Sequence, residues 1–172
     1  IKTGLNMVLY TARLRTIQDD FHIEQVDLEK VIHEVNQENR RFYIRHRVFP
    51  KFKKIEKIAF VETDEKWLRF IIGQLIQNAV KYSTGKSHEI IISLYKTGNE
   101  DVALEVKDFG IGIPIIDQKR IFKPFFTGEN GRKYRESTGM GLYLVKEVVE
   151  YLGHHIEVES KVGEGTTFRI II

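Results

Sequence analysis

The chain has 172 residues, of which 42% are hydrophobic and 30% charged, with a net charge of +3. This composition excludes a disordered or fibrous protein and suits one well-cored domain, or a domain with a short appendage. With no cysteine, disulfides and thiolate metal sites are excluded and a reducing cytosol is permitted. The apolar runs "FIIGQLI" and "FRIII" are far too short to span a bilayer. Ile1 is not a natural start, so a piece of a longer protein is expected, and targeting signals cannot be read from it.

Residues 5–18 place Leu5, Val8, Leu9 and Ala12 at helical spacing, predicting an amphipathic helix. "DDFHIEQV" is short and extended, a junction to the main domain. In "DLEKVIHEVNQENRRF", Asp27 is an N-cap and Leu28, Val31, Ile32 and Val35 share one helical face. Residues 40–57, "RRFYIRHRVFPKFKKIEK", carry eight Lys or Arg against one Glu. Basic residues interleaved with aromatics can bind single-stranded nucleic acid or an anionic surface. The same residues also suit a solvated helix end and loop, which is the expectation here.

"KIAFVET" reads as a strand. The strongest helix follows in "DEKWLRFIIGQLIQNAVKYS", where Trp67, Leu68, Ile71, Ile72, Leu75, Ile76, Ala79 and Val80 form a wide apolar face. "HEIIISLYKTGNEDVALEVKD" predicts two strands around the turn Thr97 to Glu100. Pro114 suits the first turn of a short helix, "IIDQKRIF". "GLYLVKEVVEYLG" is a further helix with Gly153 just past its end, and "HHIEVES" and "TTFRIII" alternate as strands around "KVGEG". Helices mixed with hairpins predict an α+β fold with two layers.

Asp108-Phe109-Gly110 spells the metal loop of eukaryotic-type protein kinases. The Gly-rich loop, strand lysine and catalytic His-Arg-Asp that such kinases need are missing. A P-loop fails because its first glycine falls at Val80, and "GIGIPI", "GMGLYL" and "GEGTTF" all lack the third glycine of a dinucleotide fingerprint.

An ordered set remains: "QNAVKYS" on a helix, then "DFGIGIP", "FKPFF", "STGMGLYLVK" and "VGEGTTF". Gln74, Asn78 and Lys81 share one polar stripe. An amide oxygen such as that of Asn78 can ligate Mg²⁺, and Lys81 can act as a point charge on phosphate. Asp108 ends a strand and can accept a hydrogen bond from an exocyclic amine such as that of adenine. Gly110 and Gly112 let the backbone approach a flat base, or simply make a tight turn. Gly139 and Gly141 stand at a helix start that favours phosphate. Between these motifs, "TGENGRKYRES" has a lid-like composition with Arg132, Lys133 and Arg135.

These motifs resemble the catalytic and ATP-binding domain of bacterial sensor histidine kinases, within the gyrase, Hsp90, kinase and MutL ATPase superfamily. The segments match in order its N, G1, F, G2 and G3 boxes over about residues 27–172. The resemblance implies a Bergerat-type α/β sandwich, three helices on one face of a mixed sheet, with ATP and Mg²⁺ as cofactors. It implies that Asn78 holds Mg²⁺, that Lys81 contacts phosphate and that Tyr82 lines the pocket. Asp108 would read the adenine amine over Gly110, Gly112 and Ile113. Gly139 and Gly141 would flank the phosphates, and Leu142 and Thr166 would close the base pocket.

Gln74 departs from the family's usual first N-box residue. An amide cannot deprotonate water as a carboxylate can, which argues against a dedicated ATPase. Residues 1–20 resemble the end of the second helix of a dimerisation hairpin, 21–26 a linker and 27–172 the catalytic domain. "GLNMVLYTARL" followed by "DFHIEQVDL" resembles the intramembrane-sensing kinases of Gram-positive bacteria that respond to bacitracin and similar peptides. None of the six histidines (22, 33, 46, 88, 154 and 155) sits in a complete phosphoacceptor box, so the acceptor is expected outside this chain. The implied partners are that histidine on the dimerisation domain and a response regulator, in a homodimeric full-length protein. No nucleic acid is implied, and membrane contact comes only through the missing N-terminal part of a protein anchored in the bacterial cell membrane, leaving this piece in the cytoplasm. An anti-sigma-type serine kinase or a hydrolase of the same superfamily is the alternative.

Overall fold

The computed structural model describes residues 8, 9, 12, 20–58, 60–128 and 139–172. The longest helix among the described residues runs over Glu65–Ser83 (α3 below) and is opened by Asp64, whose carboxylate accepts from the Trp67 amide at 3.0 Å. This N-cap satisfies an orphan donor of the first turn. All eight apolar residues predicted for its face are buried.

Before it come β1 (Glu24–Val26), α1 (Leu28–Glu38), α2 (Arg40–His46), β2 (Phe49–Ile55) and β3 (Val61–Thr63). After it come β4 (Glu89–Lys96), β5 (Val102–Asp108), the short α4 (Ile115–Gln118), α5 (Gly141–Tyr151), β6 (His155–Lys161) and β7 (Gly165–Ile171). Five strands form one sheet in the order β2-β4-β5-β7-β6, parallel between β2 and β4 and antiparallel elsewhere. Helices α1, α3 and α5 cover one face, with α3 packed between the other two and against β4, β5 and β7. The mixed sheet under three helices is the predicted two-layer α+β sandwich.

Period-two patterning decides which face is covered. Ile90, Ile92, Leu94, Leu104, Val106, Phe168 and Ile170 point to the helices and are buried. The other face is polar and centred on Arg169, which bonds Glu105 at 2.9 Å, Glu157 at 2.9 Å and the Tyr95 hydroxyl at 3.1 Å.

Several elements differ from expectation. The stretch 21–26, read as a linker, is bonded into the domain: β1 pairs antiparallel with β3, and the His22 amide donates to the Asp64 carboxylate at 2.7 Å. Phe21 stacks on Tyr151, with ring centroids 5.8 Å apart. The α1 helix stops at Asn39, a buried residue whose Nδ2 bonds the Val35 carbonyl at 2.8 Å, and α2 restarts beyond it. The basic stretch is not a loop; it supplies α2 and the edge strand β2. Pro50, the irregular register between Phe52 and Ile55 and the left-handed Lys54 (φ 50°) blunt that edge against pairing. The helix after Pro114 has only four residues. Val8, Leu9 and Ala12 are helical and exposed; the rest of the predicted N-terminal helix, and Arg132, Lys133 and Arg135, lie outside the described residues. No helix among the described residues is long and apolar enough to cross a membrane.

Candidate nucleotide site

One cleft opens where the C-terminal half of α3 faces the end of β5, the loop after it and the start of α5. Asn78, Tyr82, Asp108, Gly112, Ile113, Leu142 and Thr166 line it. Seven of the residues picked from sequence therefore converge on one space, although 88 positions separate Asn78 from Thr166. Lys81, Gly110, Gly139 and Gly141 do not line it. The Lys81 ammonium lies 4.8 Å from the centre of the Tyr82 ring, and Gly141 opens α5.

The floor is built around Asp108, which is 2% exposed. Its Oδ1 accepts from the Gly110 amide at 2.9 Å and the Thr166 amide at 3.1 Å. Its other carboxylate oxygen takes no hydrogen bond from the described residues. Burial pushes the carboxyl up to about 6, against the pull of those two amides and of the Lys86 charge.

Gly110 and Gly112 are required by the protein's own backbone. A Cβ on Gly110 would stand 2.2 Å from the Tyr82 carbonyl oxygen, and one on Gly112 2.2 Å from that of Lys161. The turn reading thus accounts for both, and Gly112 in addition faces the cleft. Three side chains hold the loop to β6 and to the β6–β7 turn. The Lys86 ammonium donates to the carbonyls of Gly110 at 3.0 Å and Gly163 at 2.8 Å. Gln118 Nε2 donates to the carbonyls of Ile113 at 2.9 Å and Ser160 at 3.0 Å. Ser160 Oγ accepts from the Ile113 amide at 2.8 Å.

Sequence reasoning missed these three residues, and it missed Asp117, Ile121 and Thr127 in the cleft wall. Asp117 carried an inverted signal: Ile115 and Ile116 of the same turn are 81% and 73% exposed while the aspartate is buried. A polarity pattern assigns the opposite. Phe126, the last residue of "FKPFF", also lines the cleft. Gln74, one turn before Asn78, is half-buried and does not line the cleft.

The donor set fits a nucleotide with its metal. A buried acceptor stands among apolar walls, and an amide oxygen, a hard donor suited to Mg²⁺, shares the cleft with it. No cluster of three or more His, Cys, Asp or Glu among the described residues could hold a metal by itself, so phosphate oxygens and water would complete the shell beside Asn78.

The profile of the histidine kinase-, DNA gyrase B- and HSP90-like ATPase family matches residues 63–172. The chain belongs to that family. Within it, the chain is 47% identical over 169 residues to the sensor histidine kinase YxdK of Bacillus subtilis (strain 168), covering 98% of this chain and 51% of that one. It is 38% identical over 172 residues to the sensor protein kinase GraS of Staphylococcus aureus (strain JH1), covering 99% and 48%. The chain thus spans about half the length of these relatives. Its fold is similar to that of the ShkA full-length crystal structure in complex with AMPPNP, with a TM-score of 0.81 over 96% of this chain and 34% of that one, at 22% identity.

Proposed function

We propose that the chain is the ATP-binding catalytic part of a sensor histidine kinase, which transfers the γ-phosphoryl of ATP to a histidine outside this chain. The observation that carries the reading is Asp108, fixed through one oxygen by two backbone amides and buried in the cleft that Asn78 shares. The names of the relatives support the kinase assignment.

In this reading the free oxygen of Asp108 accepts the exocyclic amine of adenine, and Ile113 and Leu142 supply apolar contact to the ring. Asn78 would hold Mg²⁺, whose contribution is to neutralise phosphate charge. Lys81 and the α5 start, with Gly139 and Gly141, face the phosphates. Phosphoryl transfer asks mainly for positioning and charge neutralisation. The bond from the γ-phosphorus to the bridging oxygen breaks as a bond to an imidazole nitrogen of the acceptor forms, with ADP leaving. The phosphoryl group then passes to an aspartate of a response regulator. The full-length protein would be a homodimer held in the membrane by its N-terminal part, with this domain in the cytoplasm.

All six histidines are placed among the described residues and none lines the cleft. Gln74 supplies no carboxylate for hydrolysis. The test is calorimetry with a non-hydrolysable ATP analogue, with and without Mg²⁺, followed by supply of an acceptor-histidine hairpin in trans. Binding that Mg²⁺ strengthens, and label that appears on the hairpin histidine, are expected. Steady ATP turnover by the chain alone, or transfer to serine, would replace this reading with the hydrolase or the serine kinase.

A further inference from the structure

Residues 40–57 carry eight Lys or Arg against one Glu, a charge of +7 in a chain whose total is +3, so all other residues together carry −4. The nucleotide reading uses none of the eight, and none of them lines the cleft. All eight are exposed, on α2, on β2 and just beyond each. Several cations elsewhere have carboxylate partners: Arg69 sits against Glu34, Glu38 and Glu65, and Lys146 against Glu150. In this segment Lys51 pairs with Glu89, and Lys54 lies 4.1 Å from the centre of the Tyr95 ring. Arg40, Arg41, Arg47, Lys53 and Lys57 form no ion pair with any described residue.

Two apolar side chains stand among these charges. Ile44 is 57% exposed and Phe49 49%. The other aromatic side chains of the segment turn inward. Tyr43 is buried, Phe42 packs on the His46 ring with centroids 4.3 Å apart, and Phe52 packs on that of His33 at 5.1 Å.

The folded chain thus decides between two partners that the alternation of basic and aromatic residues leaves open. A single-strand site stacks successive bases on aromatic rings, and this face offers one exposed ring. An anionic bilayer asks instead for cations at the headgroups and for apolar side chains that enter the boundary below them. Ile44 and Phe49 supply the second requirement. Strand addition is excluded, because Pro50 and the irregular register of β2 blunt its edge. Recognition therefore falls to side chains.

We propose that α2 and the start of β2 form a docking surface for an anionic lipid bilayer, a membrane contact separate from the N-terminal anchor. The negative charge of the remaining residues is repelled by the same lipids and turns this face toward them. The kinase reading enters at one point only: its membrane anchor keeps the domain near a bilayer, where a weak contact suffices.

The experiment is cosedimentation of the 172-residue chain with vesicles of phosphatidylglycerol and phosphatidylcholine, and with vesicles of phosphatidylcholine alone. Affinity for a single-stranded oligonucleotide is measured at the same salt. Binding to the anionic vesicles that weakens as salt is added, and none to the neutral ones, is expected. Arg40→Gln combined with Arg41→Gln and Lys53→Gln should weaken it by about tenfold or more. Lys96→Gln combined with Lys119→Gln and Lys123→Gln removes the same charge outside the segment and should leave most of the binding. Equal losses in the two triple variants would report net charge alone and overturn the proposal. Ile44→Ser with Phe49→Ser should weaken the anionic vesicles by roughly fivefold or more and leave the oligonucleotide unchanged. Undiminished vesicle affinity in that variant, or a parent that prefers the oligonucleotide, overturns the lipid assignment. A parent that ignores anionic vesicles overturns it outright. Circular dichroism checks each fold, and Ile44→Ser alone carries the apolar test should the double variant not fold. Binding of the ATP analogue is read in parallel and should be the same in the parent and in the variants of 40–57. Its absence in the parent removes the nucleotide reading and leaves the docking surface standing.

Discussion

The Thr166 amide donates to Asp108 Oδ1 across 3.1 Å, joining the end of β5 to the start of β7 beneath the cleft. A second amide, that of Gly110, donates to the same oxygen at 2.9 Å. The carboxylate is thus oriented without using the oxygen left over, and burial raises its pKa to about 6. Folding this group charged costs free energy. A carboxyl raised from 3.8 in the unfolded chain contributes stability that is present below 3.8 and lost as pH rises through about 6. The loss amounts to about 3 kcal/mol at neutral pH. Asp108→Asn removes the charge and keeps an acceptor for both amides. The variant is expected to melt higher than the parent at about pH 8 and to bind no ATP analogue. Thermal melts paired with calorimetry check both halves, and a lower melting point with binding intact contradicts the account.

The same carboxylate sets the pH profile of binding. Lys86 is the charge that acts on it, and Asp117 is the other acid in the cleft wall. Only the ionised Asp108 offers full acceptor strength to an amine. Affinity for the ATP analogue should hold above about pH 7 and fall as pH drops through about 6. Titrations across that range check it, and a flat profile would remove Asp108 from recognition.

His154 adds a slope of opposite sign to stability. Its Nε2 lies 2.8 Å from the Thr63 hydroxyl, and burial holds its pKa below the ordinary 6.5. Stability from the neutral ring is present above 6.5 and is lost as pH falls through the lower folded value. In the Asp108→Asn background, melting temperature should fall on acidification below about 6.5, and His154→Gln should flatten that fall.

Much of this arrangement was legible because its physics is local. The buried face of α3 and the alternation of β4 and β5 follow from periods of 3.6 and 2, and the cap Asp27 from its place just before an apolar face. The order of the motifs also brought Asn78, Asp108 and Thr166 to one cleft. What was not legible is non-local. Lys86 reaches carbonyls 24 and 77 positions away, and nothing in "STGKSHE" marks that. The pairing of β1 with β3 was missed because three residues carry too little alternation to read. Asp117 was missed because its turn packs the acid inward and the isoleucines outward.

Two glycines separate backbone conformation from close approach. Gly112 and Gly163 are both left-handed, at φ 73° and 83°. A Cβ on Gly163 meets nothing within 4 Å, whereas one on Gly112 meets the Lys161 carbonyl oxygen at 2.2 Å. Gly163→Ala should cost about 1 kcal/mol, the conformational penalty alone. Gly112→Ala adds a backbone clash that no rotamer relieves, and should cost about 3 kcal/mol or more. Urea midpoints at constant slope check the pair; equal losses would show that the contact between the loop and β6 is looser than described.

The Lys86 ammonium fastens Gly110 to Gly163, and so fastens the loop carrying Gly112 and Ile113 to the turn preceding Thr166. The side chain is exposed, so water competes for both bonds and the contribution to global stability is small, within about 1 kcal/mol. Binding feels the clamp more, because both walls of the base end must stay in register for one ligand to touch them. Lys86 also lowers the pKa of Asp108 by its charge. Lys86→Met should therefore leave the melting point nearly unchanged, weaken the ATP analogue by roughly threefold to tenfold, and move the pH midpoint of binding upward. Lys86→Arg, which keeps charge and donors, should recover the midpoint. An affinity loss with an unmoved midpoint would leave the clamp in place and remove the electrostatic part.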